Sequence, residues 1–269
     1  MKNWFNIIYL LLIFNLIIPD PIIITTRDKD LVIIEHHKED LYSNKLILEK
    51  ITTYKNQELF KKESYWYNGQ LKEEEHYKDG IENGKWALYY ENGRIYEERY
   101  YKDGKKDGRW TWYHENGQLE KEQHYKDAKK DGKWAWYDEG ELTEGHYKNG
   151  EKDGKWTWYS DGIDANEEGI VKEENYKDGE KDGRWIWYDN GELTREENYK
   201  NGIKNDKWVY YSFPGKIERE ENYKDEVRDG KWAWYYSNGQ LEKEEHYKDG
   251  KKDGKWAWYS FETEQLQAE

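Results

Sequence analysis

Short runs of alternating aromatic and polar residues follow one another along most of the chain, and each run ends at a turn signal that contains Gly. Residues 108–127, GRWTWYHENGQLEKEQHYKD, show the pattern: an aromatic run, then Asn116-Gly117, then a second alternating run. Alternation with period 2 and enrichment in Trp, Tyr and Thr are typical of strands. Asn-Gly favours a type I′ turn, in which both central residues have positive φ. The pattern predicts a β-hairpin in each such segment.

The hairpin segment is an internal repeat. Its anchor, a Lys or Arg followed by Trp, leads eight copies spaced 22 to 29 residues apart. An incomplete copy occupies residues 65–71, and a more degenerate one begins near residue 46. Each repeat of such an array is one supersecondary element that packs on its neighbours. The sequence therefore predicts an all-β protein, an elongated single-layer meander of antiparallel hairpins with about 16 or 17 short strands, two per repeat.

The pattern changes along the chain divide it into four parts. Residues 1–24 contain one Lys and then the apolar run FNIIYLLLIFNLII at 5–18, which is short for a membrane span of about 20 residues but suits a signal peptide. We predict export to the periplasm, the cell surface or the medium, with an uncleaved N-terminal membrane anchor as the alternative. Residues 25–63 form a leading segment with a degenerate repeat, 64–260 the hairpin array and 261–269 a C-terminal tail.

The hairpin register predicts two different faces. With Asn-Gly as the turn, His114 opposes Leu119 and Trp110 opposes Gln123. One face then carries both Trp residues of each repeat and the Tyr of its Tyr-Lys pair. The other carries the basic residue before the leading Trp, the Tyr three positions after that Trp, and the Glu three positions before Tyr-Lys.

Charged residues on the second face are interpreted as structural. Arg109 and Glu122 become diagonal neighbours, which predicts an ion pair worth about 0.2 to 1 kcal/mol in each repeat. Catalysis by two carboxyls requires two different environments, whereas these Glu residues are equivalent in eight repeats. Equivalent His residues lie roughly 9 to 10 Å apart in neighbouring hairpins, too far to share a zinc ion. We therefore predict no enzyme, no catalytic residue, no cofactor site and no metal site.

Composition narrows the class of partner. Charged residues make up 38% of the chain and its mean hydropathy is -1.38, values typical of disorder, but 16 Trp and 26 Tyr supply large rings that can form a core. The net charge of -14 argues against nucleic acid and disfavours anionic lipid. No cysteine is present, so the chain has neither disulfides nor thiolate sites.

The repeat resembles a known family. Tyr-Lys-Asp-Gly-Lys-Lys-Asp-Gly-Lys-Trp-x-Trp-Tyr at residues 247–259, with Asn-Gly-Gln-Leu at 238–241, resembles the MORN repeat, and above all its bacterial variant found in antitoxin proteins. The resemblance covers about residues 54–260. It implies stacked hairpins and a scaffold, membrane-associated or immunity-like role. Asp206, Ala128, Glu139-Gly140 and Pro214-Gly215 depart from the pattern, and we expect them to loosen turns without breaking the array.

A single-layer meander leaves its aromatic face uncovered, and exposed apolar surface marks interaction sites. We expect a non-enzymatic scaffold for a protein partner, with an antitoxin- or immunity-like role as one version and homo-oligomerisation as another way to cover the face. The alternative is ligand or lipid binding, because Trp-rich hairpins also resemble choline-binding repeats, whose rings hold quaternary ammonium groups. The candidate face consists of the leading Trp of each repeat and the second Trp where one is present: Trp86, Trp110, Trp112, Trp134, Trp136, Trp156, Trp158, Trp185, Trp187, Trp208, Trp232, Trp234, Trp256 and Trp258.

Overall fold

The computed structural model describes residues 22–28, 30–40, 45–138, 141–160, 169–261 and 266–268. In these ranges all regular elements are strands, and the paired strands run antiparallel, so the predicted all-β hairpin array is confirmed. The same ranges contain no helix long and apolar enough to cross a bilayer. Most of the predicted signal peptide or anchor, residues 1–21, lies outside the described residues, as do the insertion at 161–168 and the pair Glu139-Gly140.

The chain divides into two compact units, Met1–Leu119 with Tyr125–Ala128, and Glu120–His124 with Lys129–Glu269. The strands of the N-terminal unit are β1 (Ile22–Asp28), β2 (Leu31–Glu39), β3 (Leu46–Lys55), β4 (Glu58–Tyr65), β5 (Leu71–Lys78), β6 (Ile81–Tyr89), β7 (Ile95–Lys102), β8 (Lys105–Lys106) and β9 (Gly108–Tyr113). Strand β10 (Leu119–Lys126) is divided between the two units. The C-terminal unit contains β11 (Lys129–Asp138), β12 (Glu141–Lys148), β13 (Glu151–Lys152), β14 (Gly154–Ser160), β15 (Gly169–Lys177), β16 (Glu180–Lys181), β17 (Gly183–Asp189), β18 (Glu192–Lys200), β19 (Ile203–Lys204), β20 (Asp206–Ser212), β21 (Lys216–Lys224), β22 (Val227–Arg228), β23 (Gly230–Tyr235), β24 (Leu241–Lys248), β25 (Lys251–Tyr259) and β26 (Leu266–Ala268).

The type I′ turns lie at the Asp-Gly connectors that follow Tyr-Lys. Both central residues there have positive φ, 47 to 53° at the first and 66 to 100° at the second, as this turn type requires. The same turn occurs at Asn56-Gln57, in the leading segment, between β3 and β4. Asp and Asn tolerate this region better than other non-Gly residues. The pairs are Asn56-Gln57, Asp79-Gly80, Asp103-Gly104, Asp127-Ala128, Asn149-Gly150, Asp178-Gly179, Asn201-Gly202, Asp225-Glu226 and Asp249-Gly250.

The Asn116-Gly117 turn differs from the prediction, whereas Asn190-Gly191 has positive φ at both residues, 49° and 78°, as predicted. At Asn116-Gly117 only Gly117 has positive φ, 90°. The Gly117 N–H donates to His114 O (2.8 Å) and the His114 N–H donates to Gln118 O (2.9 Å), which closes a three-residue loop. Asn116 Oδ1 accepts from the Gln118 N–H (2.8 Å), so the Asn side chain supports this loop by a local Asx-type hydrogen bond. The type I′ prediction for this pair was wrong.

The longer loop shifts the strand register next to the turn. In β23 and β24, Trp232 pairs with Glu245 and Trp234 with Lys243, the register predicted for the equivalent positions of the Trp110 repeat. An irregularity after Trp234 then places Tyr235 opposite Leu241. The predicted partner of this Leu position was the residue after that Tyr, so the prediction was wrong by one residue there. A bulge absorbs the extra loop residue.

Three of the four sequence departures lie within the described residues, two in turns and Asp206 at the start of β20, and the strands around each are formed. Asp206 has φ 58° at a position where other repeats have a positive-φ Gly, for example Gly183 and Gly230. Ala128 has φ 66° at a connector. Pro214 lies between β20 and β21, which pair from Ser212↔Lys216 onward. The expectation that these residues leave the array unbroken is confirmed at these positions.

Candidate functional site

The leading Trp of each repeat is held in place by its indole N–H. Nε1 donates to the backbone carbonyl oxygen of the residue ten positions earlier, at 2.9 to 3.2 Å. That acceptor is the residue just before Tyr-Lys, which is His, Tyr or Asn in different repeats. Because the bond needs only the carbonyl, the side chain at this position varies freely. The bonded pairs are Trp86 with His76, Trp110 with Tyr100, Trp134 with His124, Trp156 with His146, Trp185 with Asn175, Trp208 with Asn198, Trp232 with Asn222 and Trp256 with His246.

Within each unit, these Trp rings alternate with the Tyr rings of Tyr-Lys in a stack. In the N-terminal unit the ring centroids of Tyr77, Trp86, Tyr101, Trp110 and Tyr125 follow one another at 5.3 to 5.7 Å. The C-terminal unit has the same arrangement from Tyr176 to Trp256, at 5.2 to 5.8 Å. Tilted and edge-to-face pairs of this kind contribute about 0.5 to 1.5 kcal/mol each beyond their buried area. The stack is the core of each unit.

A cation lies over most of these ring pairs. Lys181 Nζ is 4.0 Å from the Trp185 ring centroid and 4.4 Å from that of Tyr199. Cation–π contacts contribute about 0.5 to 2 kcal/mol, depending on how well the cation is shielded from water. The equivalent cations are Lys106, Lys130, Lys152, Lys204, Arg228 and Lys252. The sequence analysis did not predict a role for these basic residues, although a basic residue four positions before the leading Trp is visible in the repeat.

A buried carboxylate completes the aromatic face. Glu197 is 6% exposed, accepts a 2.6 Å hydrogen bond from the Tyr199 hydroxyl, and lies 3.2 Å from Nε of Arg195. Burial, and next the hydrogen bond to Glu197, raise the pKa of Tyr199 well above its ordinary value. A buried carboxylate is tolerated only when it is paired and hydrogen-bonded. The same trio recurs with Glu174, Tyr176 and Lys172; Glu221, Tyr223 and Arg219; and Glu245, Tyr247 and Lys243.

The second Trp of each repeat is the accessible one. The leading Trp residues from Trp110 to Trp232 are only 2 to 4% exposed, whereas their second partners are half-buried and Trp258 is 38% exposed. Basic side chains cover part of these rings: Arg195 Cζ lies 3.9 Å from the Trp187 centroid and Lys243 Nζ 4.6 Å from that of Trp234. Of the predicted face, the leading rings therefore belong to the core, and the second rings are those that a partner can reach.

The opposite face carries the predicted ion pairs, and several of its carboxylates also link two repeats. Glu220 accepts from Lys207 Nζ of its own hairpin (2.5 Å) and from the hydroxyl of Tyr235 in the next repeat (3.2 Å). Burial, and then the charge and hydrogen bond of Glu220, raise the pKa of Tyr235 to about 12. Burial alone would raise the pKa of Glu244, but hydrogen bonds from Lys255 and Tyr259 lower it to about 2. The predicted ion pairs are therefore present, and hydroxyl groups of neighbouring repeats join the same carboxylates.

The family described as MORN repeat variant matches five segments, residues 61–79, 82–103, 106–127, 181–201 and 228–249. These five segments carry MORN repeats. No curated protein matches the chain. The repeats led by Trp134, Trp156, Trp208 and Trp256 lie partly or wholly outside the matched segments, yet each has the indole-to-carbonyl hydrogen bond and the cation over its leading ring. The structure therefore identifies them as further repeats of the same design.

One irregular repeat between the matched segments packs differently. Thr143 and Gly145 replace the basic residue and the buried Glu found in four other repeats, at 172/174, 195/197, 219/221 and 243/245. A Cβ atom at Gly145 would lie 2.6 Å from Cγ of Trp156, and closer still to Cδ2 and Cε2. The Trp156 ring therefore lies directly on the Gly145 backbone, and its centroid is 6.0 Å from that of Trp136. Here a fully aromatic contact replaces the charged trio.

The side chains before Tyr-Lys make short-range contacts and form no metal site in the described residues. In three MORN repeats Asn Nδ2 donates to the carbonyl oxygen of the residue nine positions later, as in Asn198 to Lys207. Nε2 of His76 lies 3.1 Å from Glu74 Oε1, and Nε2 of His124 lies 2.7 Å from Glu122 Oε1. Across the part of the chain that the structure describes, no group of three or more His, Cys, Asp or Glu is placed to hold a metal ion.

Proposed function

We propose that this protein is a non-enzymatic scaffold that binds a protein partner through its row of second rings. MORN repeats commonly mediate protein or membrane interactions. The observation that carries the proposal is the division between buried leading rings and half-exposed second rings, several of them with an Arg or Lys alongside. Trp, Tyr and Arg are the residues most enriched at the centres of protein interfaces.

The same geometry disfavours the alternative of a choline-like ligand. In most repeats the ring pair that would hold a quaternary ammonium group is already covered by the chain's own cation, for example Lys204 at 4.2 Å from the Trp208 centroid. A free ligand would have to displace that tethered side chain. Binding to anionic lipid is opposed by the net charge of -14.

We further propose that the partner is met at the cell envelope or outside the cell. The support is the apolar run at residues 5–18, whose length suits a signal peptide. An antitoxin- or immunity-like role is one form of this scaffold function, and it rests on the resemblance of the repeat to the bacterial variant alone.

Site-specific photo-crosslinking in the native cells tests the proposal. A benzophenone amino acid replaces Trp187 or Trp258 in the full chain, and as a matched control Phe213, which is 86% exposed in a turn. We expect a discrete adduct at the two Trp positions and none at Phe213. An adduct of twice the chain mass would identify a second copy of the chain as the partner. Equal labelling at all three positions, or no adduct from a protein that sediments as a monomer, would contradict the proposal.

A further inference from the structure

The Trp86 repeat carries a carboxylate where the other repeats carry a cation over the leading ring. In the next repeat, Lys106 Nζ lies 4.3 Å from the Trp110 centroid and 4.9 Å from that of Tyr125. Glu82 occupies the equivalent position, because it pairs with Tyr77 as Lys106 pairs with Tyr101. The described residues place no Lys or Arg over the Trp86 ring. The other repeats have Lys130, Lys152, Lys181, Lys204, Arg228 and Lys252 at this position.

The residues that would cover the second ring position of the Trp86 repeat are also acidic where other repeats have a basic residue. In the C-terminal unit, Lys243 pairs in register with Trp234 and covers its ring at 4.6 Å. Glu73 and Glu97 hold the equivalent positions on the two strands beside β6, where both pair with Leu88. Three positions that are basic in most other repeats are thus acidic around one Trp.

The smaller side chain of Leu88 also leaves a cavity beside Trp86. Leu88 replaces the larger Trp of most other repeats. The cavity of about 50 Å³ lies beside Trp86 and Leu88, and Glu73, Glu97 and Arg99 also line it. One water molecule occupies about 30 Å³ in the liquid, so an ammonium group fits. Trp86 is half-buried, whereas Trp110 is 4% exposed.

Two nearby cations of the chain, Arg99 in the cavity wall and Lys62, are already paired with carboxylates. Arg99 donates to both carboxylate oxygens of Glu97, at 2.5 and 2.6 Å, and lies over the Trp110 ring. Lys62 lies over the Tyr77 ring at 4.9 Å and 3.6 Å from Glu75.

Among the described residues, neither Glu73 nor Glu82 has a Lys or Arg within ion-pair distance. A carboxylate beside the negative face of an aromatic ring is unfavourable, and a cation between them relieves both.

We propose that the Trp86 repeat accepts a Lys or Arg side chain of the protein partner, with its cationic group against the Trp86 ring where Glu73 and Glu82 attract it. This rests on the proposed function, and it gives the partner a basic contact residue. In the other repeats, a Lys or Arg of the chain itself occupies the equivalent position over the leading Trp ring. The net charge of -14 favours approach of a basic surface.

The site is tested without any partner by titrating the full chain, labelled with ¹⁵N at the Trp indoles, with Nα-acetyl-lysine methylamide at constant ionic strength. The Trp86 signal is assigned with Trp86→Phe. We expect a saturable shift of this signal, and none with the uncharged norleucine analogue. Glu82→Lys supplies the built-in cation of the other repeats, so we expect it to fold and to weaken binding at least tenfold.

Two controls make the result decisive. Glu91→Lys changes the net charge equally at an exposed position of a turn, and it should bind within twofold of the parent chain. Glu82→Gln removes the carboxylate without adding a cation, and it should weaken binding severalfold. An equal response to the norleucine analogue, or unchanged binding by Glu82→Lys, would overturn the proposal. The titration and the crosslinking experiment can fail independently. If the Trp86 signal shifts with the lysine analogue but no partner is captured, only the scaffold function is contradicted.

Discussion

Gly145 provides the sharpest test of how the aromatic core is packed. Gly in a strand interior normally costs about 0.5 to 1 kcal/mol relative to Ala, so Gly145→Ala on β12 would ordinarily stabilise the protein. The structure predicts the opposite. The new Cβ would lie 2.6 Å from Cγ of Trp156 and nearer to two other ring atoms, whereas carbon atoms prefer about 3.5 to 4.0 Å.

The cost follows from what the displaced ring loses. Trp156 is 2% exposed, donates a 3.2 Å hydrogen bond to His146 O, and makes an edge-to-face contact with Tyr147 at 5.1 Å. Overpacking costs about 1 to 3 kcal/mol and the lost hydrogen bond about 1 kcal/mol more, so we expect destabilisation of roughly 2 to 4 kcal/mol.

Urea unfolding followed by circular dichroism measures this change, and a double-mutant cycle isolates its cause. We compare Gly145→Ala in the parent chain and in a Trp156→Leu background, where the smaller side chain makes room for Cβ. The penalty should fall by more than 1 kcal/mol in that background, since contacting residues couple by about 0.5 to 3 kcal/mol. A Gly145→Ala protein as stable as the parent, or a cycle without coupling, would refute the packing argument.

Three further predictions concern turns and charges. Ala128→Gly should raise the free energy of unfolding by about 1 kcal/mol, because Ala128 has φ 66°, while Gly104→Ala at φ 74° should lower it by about 1 to 2 kcal/mol; thermal melts of both variants check the pair. The pKa of Glu244 is lowered to about 2, so its stabilising effect is present above about pH 4.5 and lost as pH falls towards 2; Glu244→Gln should therefore flatten the stability profile between these pH values. Tyr199→Phe should cost about 1 to 3 kcal/mol by removing a donor from the buried Glu197, measured by urea unfolding, and an equally stable variant would argue against the buried trio.

Much of the fold was predictable because the same local strand and turn signals recur in repeat after repeat along the sequence. The period-2 pattern identified the strands, and the Trp232–Glu245 pairing type followed from counting back from the turn. The turn types were not predictable in the same way. Asn116-Gly117 and Asn190-Gly191 have the same two residues, yet only the second has positive φ at both. The length of the loop that holds the Asn-Gly pair decides the turn type. The two residues alone do not reveal that length.

The candidate face was only partly predictable, because alternation tells which side of a strand a residue occupies but not how deep it lies. Trp185 and Trp187 are on the same side, yet Trp185 is 4% exposed and Trp187 is half-buried. The difference comes from the Tyr199 ring and Lys181, which lie on Trp185 from elsewhere in the repeat. The buried Glu197 was missed because a Glu in an alternating run is normally interpreted as solvent-exposed.

The two ring positions differ in how much sequence change they tolerate, and this difference points to where specificity lies. The leading Trp is fixed by a backbone acceptor and by stacking on both sides, so a different side chain there would open a cavity and leave a carbonyl without its donor. The second position holds Leu88 and Tyr210 as well as Trp. Changes at the second position and at the cations that cover it alter the surface without altering the core. The repeats that depart most from the pattern there, those of Trp86 and Gly145, are therefore where a partner would distinguish one part of the array from another.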